Sequence, residues 1–315
     1  MGDDQVFENR INNFSRSDNV DDLTALGLAI VAETLDILHD LQGDASGSMV
    51  IRTREGDYKD WDAEIFGVDE AAEGAYIGRL KESTHPVVLL SEEAGMVDLT
   101  GGKEGSKIYG VSDPFDGSWL YKRGLPFMQY SSLALFDANF NHLTSITGDV
   151  FNRDLAFANG NGAFMAKLDG NALTGVERLN ESYRRERHGK PASGLDDACV
   201  ESYLLKPAKF LMPLIDEYRP VIDAFKMLHP NGGPYAFAEA AAGQIDVYFA
   251  RQQPYVDVFS GIAIAEQAGL IVSDFHGNEV AKPTEDYETV FDVLVSRTQD
   301  LHDQTLEKIA ECRKE

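Results

Sequence analysis

The stretch KIYGVSDPFDGSWLYKRG, residues 107–124, decides how this chain is interpreted. Its first half is apolar around Ile108, Tyr109 and Val111, which predicts a buried strand bounded by polar residues. Asp-Pro and Asp-Gly follow at once, and both dipeptides are strong turn signals. A plain turn would explain the stretch by itself. Its meaning therefore depends on whether other carboxylates of the chain point to the same place.

The length of 315 residues predicts one large or two medium domains with ample material for a core. No apolar run approaches the roughly 18 residues that a transmembrane helix needs. The N-terminal residues MGDDQVFENR are acidic and polar, unlike a secretory signal, and two cysteines are too few for a disulfide framework. We therefore expect a cytoplasmic protein with no membrane partner.

The charge of the chain is strongly negative. Asp and Glu number 53 against 28 Lys and Arg, giving a formal charge of −25. Such a chain repels nucleic acid phosphates, so we expect no nucleic acid partner. A site that binds a phosphate ester would need local positive charge, and metal ions are the obvious source.

The order of predicted elements indicates two parts. Strands and helices are mixed in the first part, and strands alternate with helices in the second, which predicts an α+β and α/β architecture. We place the boundary in the polar segment 180–194, giving an N-terminal α+β domain (1–190) with most metal ligands and a C-terminal α/β domain (191–315). The main predicted helices are 21–41, 68–82, 209–225, 234–242, 256–268 and 299–313; the main predicted strands are 86–91, 130–136, 245–249, 270–274 and 289–295.

Further carboxylates stand at the ends of predicted elements. Glu92 and Glu93 follow the strand 86–91, where paired acids are usually solvated. Asp69 and Asp257 each open a helix, where an acid is common for structural reasons alone. Each position has an ordinary explanation, but together with DPFDGS they form an ordered series of acids.

That series resembles the inositol monophosphatase and fructose-1,6-bisphosphatase superfamily of metal-dependent, lithium-sensitive phosphatases. DPFDGS (113–118) stands for its DP-aliphatic-DG-Thr/Ser signature, SEE (91–93) for its Gly-Glu-Glu element, and Val256-Asp257 for its Trp-Asp. The stretches GIAIAEQAGLIVSDFHG (261–277) and NGNGAF (159–164) are also similar to family segments, and the motifs occur in family order. The resemblance implies a layered α-β-α-β-α sandwich and a homodimer.

The resemblance also implies two or three Mg²⁺ ions, with Mn²⁺ as a substitute. Carboxylates held together repel one another unless cations compensate them, and hard oxygen ligands suit Mg²⁺. A calcium loop is the rival interpretation, but Asp-x-x-Asp-Gly does not fit the EF-hand spacing. The implied metal ligands are Glu92, Asp113, the carbonyl of Phe115, Asp116, Asp257 and, in the outer part of the site, Asp69.

Catalytic and phosphate-binding roles follow from the same resemblance. Glu92 and Ser118 would orient the attacking water, with Asp69 assisting a weakly held metal, while Glu93 is expected to orient its neighbours. Gly117 and Ser118 would present backbone N–H groups to phosphate if a helix begins there. Phosphate would thus be held by amides and metals in a negatively charged protein.

The substrate-facing residues depart from the inositol monophosphatase pattern. Ala250 stands where a sugar-binding Glu is common, and the neighbouring Arg251 could bind a second phosphate or face solvent. The loop Asn231, Gly232 and Gly233 aligns with the family's substrate-facing loop. The basic segment 184–190 is interpreted as a solvated linker, with a phosphate grip as the alternative.

Three functions are compatible with these residues. The first is a Mg²⁺-dependent phosphomonoesterase acting on a small sugar or inositol phosphate of the fructose 1,6-bisphosphate or inositol 1-phosphate type. The second is a 3′(2′),5′-bisphosphate nucleotidase of the same superfamily. The third is a catalytically silent scaffold that binds metal or metabolite, against which the retained acids and hydroxyl argue.

Overall fold

The computed structural model describes residues 3–54 and 59–313. Residues 1–2, 55–58 and 314–315 lie outside it, so the first two residues of the N-terminal segment that is unlike a secretory signal are not described. Two large β-sheets, of eight and five strands, are separated and flanked by helices, and a small two-stranded sheet lies beside them. The layers follow the order α-β-α-β-α, which confirms the predicted layered fold.

The first layer contains three helices: α1 (Asp3–Phe14), α2 (Asp22–Asp40) and α3 (Gly67–Glu82). α2 begins where Asp21 accepts a hydrogen bond from the Thr24 backbone N–H at 2.8 Å, which satisfies one free donor of the first turn. Most of α2 is apolar and fully buried against the first sheet. Between α2 and α3 lies the antiparallel hairpin β1 (Val50–Thr53) and β2 (Glu64–Phe66), with a 3₁₀ turn at Asp60–Asp62.

The second layer is an eight-stranded sheet. Its strands lie in the order β10-β9-β8-β7-β6-β5-β3-β4, and all neighbours are antiparallel except β3 and β5, which are parallel. Parallel neighbours end at the same edge of a sheet, so this pair brings its two carboxyl ends together. The strands are β3 (Val87–Ser91), β4 (Gly95–Asp98), β5 (Ile108–Asp116), β6 (Tyr130–Phe136), β7 (His142–Asp149), β8 (Asp154–Asn159), β9 (Gly162–Asp169) and β10 (Ala172–Arg178). The short helix α4 (Ser118–Lys122) follows β5.

The remaining layers belong to the C-terminal part. The second sheet has the order β12-β11-β13-β15-β14, in which β11 is parallel to both of its neighbours. Its strands are β11 (Cys199–Glu201), β12 (Met227–His229), β13 (Val247–Pro254), β14 (Ile271–Ser273) and β15 (Val290–Ser296). The helices between the sheets are α5 (Glu181–His188), α7 (Tyr235–Ala242), α8 (Tyr255–Phe259) and α9 (Ile262–Gln267). The helices on the outer face of the second sheet are α6 (Met212–Ile222) and α10 (Gln299–Cys312). A π-helical turn at Pro207–Leu211 precedes α6, and a 3₁₀ turn lies at Leu195–Asp197.

One hydrophobic cluster joins the two sheets. Leu90 and Tyr130 of the first sheet belong to the same buried cluster as Phe237, Tyr248 and Phe259 of the C-terminal half. The proposed boundary between residues 190 and 191 falls after α5, in the connection between the sheets. The division into two domains stays a prediction, because the halves share this core.

Several predicted elements differ from the structure. The predicted helix 256–268 is two short helices, α8 and α9, and the predicted strand 245–249 extends through β13 to Pro254. The segment 184–190, interpreted as a solvated linker, begins inside α5 at Arg184, which is 2 % exposed and donates to the backbone carbonyls of Ala241 and Ala268. A buried arginine that satisfies helix-end carbonyls is neither a solvated linker residue nor a phosphate grip. Within the described ranges, no helix is both long and apolar enough to cross a membrane.

The packing of α2 on the sheet gives a stability prediction at Gly148 of β7. A Cβ there would lie 2.9 Å from side-chain atoms of Val31, Leu35 and Leu155, so Gly148→Val should lower the free energy of unfolding by about 1–3 kcal/mol through overpacking. The matched control is Gly74→Ala in α3, where nothing lies within 4 Å and helix propensity should raise stability by about 0.5–1 kcal/mol. Urea unfolding followed by circular dichroism measures both; equal effects would contradict the described packing.

Candidate active site

Three carboxylates from three separate elements meet at one point. The parallel register places Ser91 opposite Ser112, and the Glu92 N–H donates to the Ser112 carbonyl at 3.1 Å, so Glu92 lies beside Asp113. Asp257 joins them from the first turn of α8. The ligand oxygens of Glu92, Asp113 and Asp257 all lie within 4.8 Å of one another. The sequence-predicted acids of both halves are therefore brought together.

Two cations from the segment before α3 compensate part of this charge. The Lys59 ammonium lies 2.8 Å from Glu92 and 3.2 Å from Asp257, and its side chain is 6 % exposed. The Arg54 guanidinium lies 2.8 Å from Glu93 and 3.7 Å from Glu92. A buried carboxylate needs such partners, since an uncompensated charge in the interior is strongly destabilising.

The compensation is incomplete, as the carboxyl pKa values show. Burial and the neighbouring Glu92 raise the pKa of Asp113 well above its ordinary value; burial and Asp257 do the same to Asp116. Burial raises the pKa of Asp257 to about 6, although Lys59 opposes it. Burial acts in the same direction on Glu92, but Lys59 and Arg54 outweigh it and hold its pKa at about 2. The group therefore carries more negative potential than its protein cations neutralise.

Asp69 and Ser118 form a hydrogen-bonded pair beside this group. The Ser118 hydroxyl donates to Asp69 Oδ1 at 2.5 Å, and Asp69 Oδ2 accepts from the Phe66 N–H at 2.7 Å. Burial raises the pKa of Asp69 to about 7. A carboxylate with this pKa can take up a proton near neutral pH through the hydroxyl that it holds.

The turn after β5 requires glycine. Gly117 has φ 114°, a conformation that other residues rarely adopt, and a Cβ there would lie 2.5 Å from the Met128 carbonyl. Gly233 has φ 70°, and a Cβ at this position would collide with the Asp116 carboxylate. The absence of a side chain therefore lets the Gly117 backbone pack against the Met128 carbonyl and the Gly233 backbone approach the Asp116 carboxylate.

A cavity of about 500 Å³ opens above the acids. Its outer rim is aromatic and cationic: the Lys206 ammonium lies 5.6 Å from the Trp61 ring and 5.5 Å from the Trp119 ring and pairs with Asp62 at 2.5 Å. The Trp119 indole N–H also donates to Asp62, at 3.0 Å. The mouth of the cavity can thus hold an apolar or aromatic group, whereas an anionic group at the base needs cations that compensate the acids there.

Seven of the predicted site residues line this cavity, and five do not: Asp69, Glu93, Asp113, Gly232 and Arg251. Glu92, Phe115, Asp116, Gly117, Ser118, Gly233 and Asp257 are among the lining residues, with Asn231 from the same loop as Gly233. Gly232 instead packs against Tyr203, and Glu93 binds Arg54.

Arg251 corrects the expectation for the second phosphate. Its guanidinium pairs with Glu217 through Nε at 2.9 Å and Nη2 at 2.5 Å, and it does not line the cavity. The reason is the strand geometry: Ala250 is fully buried in β13, and successive residues of a strand face opposite ways.

Sequence reasoning missed the cations and the aromatic rim. Lys59, Arg54, Trp61, Trp119 and Lys206 belong to no motif, and Lys206 is far in sequence from the other four. The one sequence signal is that Arg54, Lys59 and Trp61 lie close to Asp62 in an otherwise acidic chain, and it does not extend to Trp119 or Lys206. Such a signal does not indicate a direction in space.

The acids fit a hard divalent cation. Asp113 Oδ1 is buried and finds no hydrogen-bond donor among the described residues, although it faces Glu92 and Asp257 across the group. Buried carboxylate oxygens that lack donors and raise each other's pKa values form a donor set of the kind that Mg²⁺ takes. Glu92, Asp113 and Asp257 could hold such an ion, with Asp116 beside them.

Known proteins of similar sequence and structure point to one family. The model of the inositol monophosphatase family matches residues 28–314. A curated protein named Nus factor SuhB from Pseudomonas aeruginosa is 25% identical over 237 residues, which span 73% of this chain and 78% of the relative. The Nus factor SuhB of Haemophilus influenzae is 26% identical over 231 residues, 70% of this chain and 78% of the relative.

Solved structures show the same fold. The extragenic suppressor protein SuhB of Bartonella henselae superposes with a TM-score of 0.69 at 16% identity, covering 92% of this chain and 98% of the other. A protein described as inositol monophosphatase-fructose 1,6-bisphosphatase superposes with a TM-score of 0.66 at 19% identity, covering 98% and 100%. With the family model spanning nearly the whole sequence, the chain belongs to the inositol monophosphatase family.

Proposed function

We propose that this protein is a metal-dependent phosphomonoesterase that uses Mg²⁺ and acts on a small phosphorylated sugar or inositol. The observation that carries the proposal is the meeting of Glu92, Asp113 and Asp257 at the base of a cavity, next to the Gly117–Ser118 turn. The charge surplus of the acids calls for cations, and the glycine turn lets a phosphate approach the backbone. Two or three Mg²⁺ ions, replaceable by Mn²⁺, are part of the proposal.

The metal ions would be held by Glu92, Asp113, Asp116 and Asp257, with the Phe115 carbonyl as a further ligand. When bound, Mg²⁺ lowers the pKa of a coordinated water and neutralises charge on the phosphate oxygens. Asp69 is assigned to Ser118 rather than to metal, because both of its oxygens already accept hydrogen bonds from protein donors. Lys59 pairs with Glu92 and Asp257 when no ion compensates them. Once metal ions neutralise these acids, the Lys59 ammonium would be able to pair with the substrate phosphate instead.

Ser118 and Asp69 would accept a proton during the reaction. The Ser118 hydroxyl can accept a hydrogen bond from the attacking water at Oγ while it donates its own proton to Asp69 Oδ1. Asp69 then stores that proton, which its pKa near 7 permits at neutral pH. Glu92, which stays ionised, would orient the same water.

The rim of the cavity supports a second candidate, a nucleotide 3′-phosphatase of the same family. Trp61, Trp119 and Tyr203 line the mouth, and a base can stack on such rings. Ala250 supplies no carboxylate for a sugar hydroxyl, and Arg251 is occupied by Glu217. The sugar or inositol phosphate stays the first candidate because it requires only the base of the cavity. A catalytically silent scaffold is disfavoured by the retained Ser118–Asp69 pair.

Other properties suggested by the family remain part of the proposal. They are inhibition by millimolar Li⁺ and assembly as a homodimer. The relatives named Nus factor SuhB raise the question of a nucleic acid partner, but the formal charge of −25 argues against direct contact of this chain with a phosphate backbone. A small phosphorylated metabolite is therefore the proposed anionic partner.

The metal ligands give the first activity prediction. Asp113→Asn and Asp257→Asn should each lower kcat/KM by roughly a hundredfold or more, because the amide keeps the shape of the side chain and removes the charge that balances the cation. For comparison, loss of a group that only supports a metal ligand commonly lowers activity by about 10–100-fold. The measurement is phosphate release over a Mg²⁺ titration. Asp300→Asn is the matched control, since it also removes a first-turn acid from a helix but is exposed. Wild-type turnover in either site variant would refute the site.

The Ser118–Asp69 pair gives a pH prediction. The pair functions with Asp69 ionised, so kcat/KM should fall as pH decreases through about 7, or through a lower value when bound Mg²⁺ lowers the pKa of Asp69. Asp69→Asn should abolish this acidic limb and reduce kcat by about a hundredfold, in the range of a lost proton acceptor. The neighbouring exposed Glu70→Gln should leave the profile unchanged. An unaltered limb in Asp69→Asn would exclude Asp69 as its source.

The two substrate candidates are separated by the rim. If the nucleotide is the substrate, Trp119→Leu should lower kcat/KM for adenosine 3′,5′-bisphosphate by roughly 5- to 150-fold, the equivalent of about 1–3 kcal/mol of stacking. The kcat/KM values of Trp119→Leu for inositol 1-phosphate and fructose 1,6-bisphosphate should then stay close to those of the wild type. The control is Tyr109→Leu, because Tyr109 is also an aromatic residue but stacks on Phe140 outside the cavity. A preference for the sugar phosphates with equal effects of Trp119→Leu on all three would eliminate the nucleotide candidate.

A further inference from the structure

A second group of potential ligands lies in the C-terminal sheet, behind the loop that carries Asn231. The parallel register of β11 and β12 places Glu201 directly opposite His229, and Glu239 reaches the same point from α7. His229 Nδ1 lies 3.0 Å from Glu201 Oε2. One ligand atom from each of the three residues falls within 4.8 Å of the other two.

The charge of this group is unbalanced. Glu201 is fully buried, and within residues 3–54 and 59–313 no lysine or arginine forms an ion pair with Glu201 or Glu239. Glu201 Oε1 is buried and has no hydrogen-bond donor in the same part of the chain. The Glu201 and Glu239 carboxyl groups lie within hydrogen-bond reach of each other, so either a proton shared between them or a bound cation can satisfy this oxygen.

We propose that Glu201, His229 and Glu239 form a binding site for one first-row divalent cation of the Zn²⁺ type, separate from the carboxylates of the active site. A divalent ion equals the charge of two carboxylates, and it gives the orphaned Glu201 Oε1 a partner. One imidazole among the donors favours Zn²⁺ over Mg²⁺, which prefers oxygen ligands alone. Three protein ligands leave room for water, and the partly exposed His229 provides the way in.

The ion would fix the substrate-facing loop. Glu239 Oε2 accepts from Asn231 Nδ2 at 2.9 Å, and the same amide donates to the Tyr130 hydroxyl at 3.2 Å. Asn231 and Gly233 line the active-site cavity two to four residues after His229. A cation that joins β11, β12 and α7 would therefore hold this loop in position from behind, as outer-shell groups hold ligands. Its role is structural, and the site stands whether or not the proposed phosphatase activity is correct.

The test is metal binding to the full-length protein, stripped with chelator and kept in excess Mg²⁺. Zn²⁺ is titrated calorimetrically, and Co²⁺ serves as a coloured probe whose visible bands report nitrogen and oxygen ligation. One Zn²⁺ equivalent should bind to the wild type and to Asp257→Asn. His229→Ala and Glu239→Gln should each weaken it by more than the roughly 10–100-fold typical of outer-shell changes. His39→Ala, an exposed histidine of α2, is the control and should bind as the wild type does.

Glu239→Gln distinguishes the cation from a shared proton. A Gln amide at this position can donate to Glu201 Oε1, so this variant should stay folded and be at least as stable as the metal-free wild type, while it loses the Zn²⁺ equivalent. Circular dichroism and thermal unfolding check the fold of each variant. The proposal is overturned if no Zn²⁺ binds beyond a Mg²⁺-blocked background. It is equally overturned if binding survives His229→Ala and Glu239→Gln but is lost in Asp257→Asn, which would place the ion in the active site.

Discussion

Repulsion among buried carboxylates is the constraint on which the rest of the molecule depends. Burial raises the pKa values of Asp113, Asp116 and Asp257, and neighbouring carboxylates, including Glu92, add to the increase. Such an arrangement persists only when the surrounding structure holds each acid rigidly and cations compensate it. Lys59 and Arg54 supply part of that compensation, and the incomplete remainder is the physical basis for a metal site.

The fold meets this constraint by bringing the acids from three separate places in the chain. The parallel pair β3 and β5 supplies Glu92 and Asp113 at one edge, and α8, between the sheets, supplies Asp257. The hydrophobic cluster shared by both halves fixes these elements relative to one another. Glycine at position 233 then allows the backbone to approach the Asp116 carboxylate, and glycine at position 117 allows the turn after β5. The core therefore serves the site by keeping mutually repelling groups in place.

Positive charge is concentrated in the cavity of an otherwise acidic chain. The chain is strongly acidic as a whole, yet the cavity contains the ammonium groups of Lys59 and Lys206, placed beside Glu92, Asp257 and Asp62. An anionic ligand would therefore meet positive charge within the cavity although the chain as a whole is acidic. The second sheet contains a similar group of buried acids, in which Glu201 and Glu239 lie beside His229. Within the described ranges, no lysine or arginine forms an ion pair with either glutamate.

The local chemistry of the site was readable from the sequence. Strand-forming residues around Ile108 and Val111, turn signals at 113–117 and acids at the starts of α3 and α8 are short-range features, governed by periodicity, turn geometry and helix dipoles. They indicated the acids of the site, the helices α2 and α3 and the strand β6, whose bounds agree with the predicted 130–136. The order of the motifs indicated the family and the layered architecture.

Only the tertiary structure decided which side chains face the cavity. Arg251 was a candidate because of its position next to Ala250, but Glu217, 34 residues earlier, holds it elsewhere. Lys59, Trp119 and Lys206 meet at the cavity although they come from separate parts of the chain, and Glu201 faces His229 because two strands pair in parallel. Sequence patterns record what a residue does to its neighbours along the chain. Contacts across the fold depend on strand register and helix packing, which bring distant residues together without leaving a local signal.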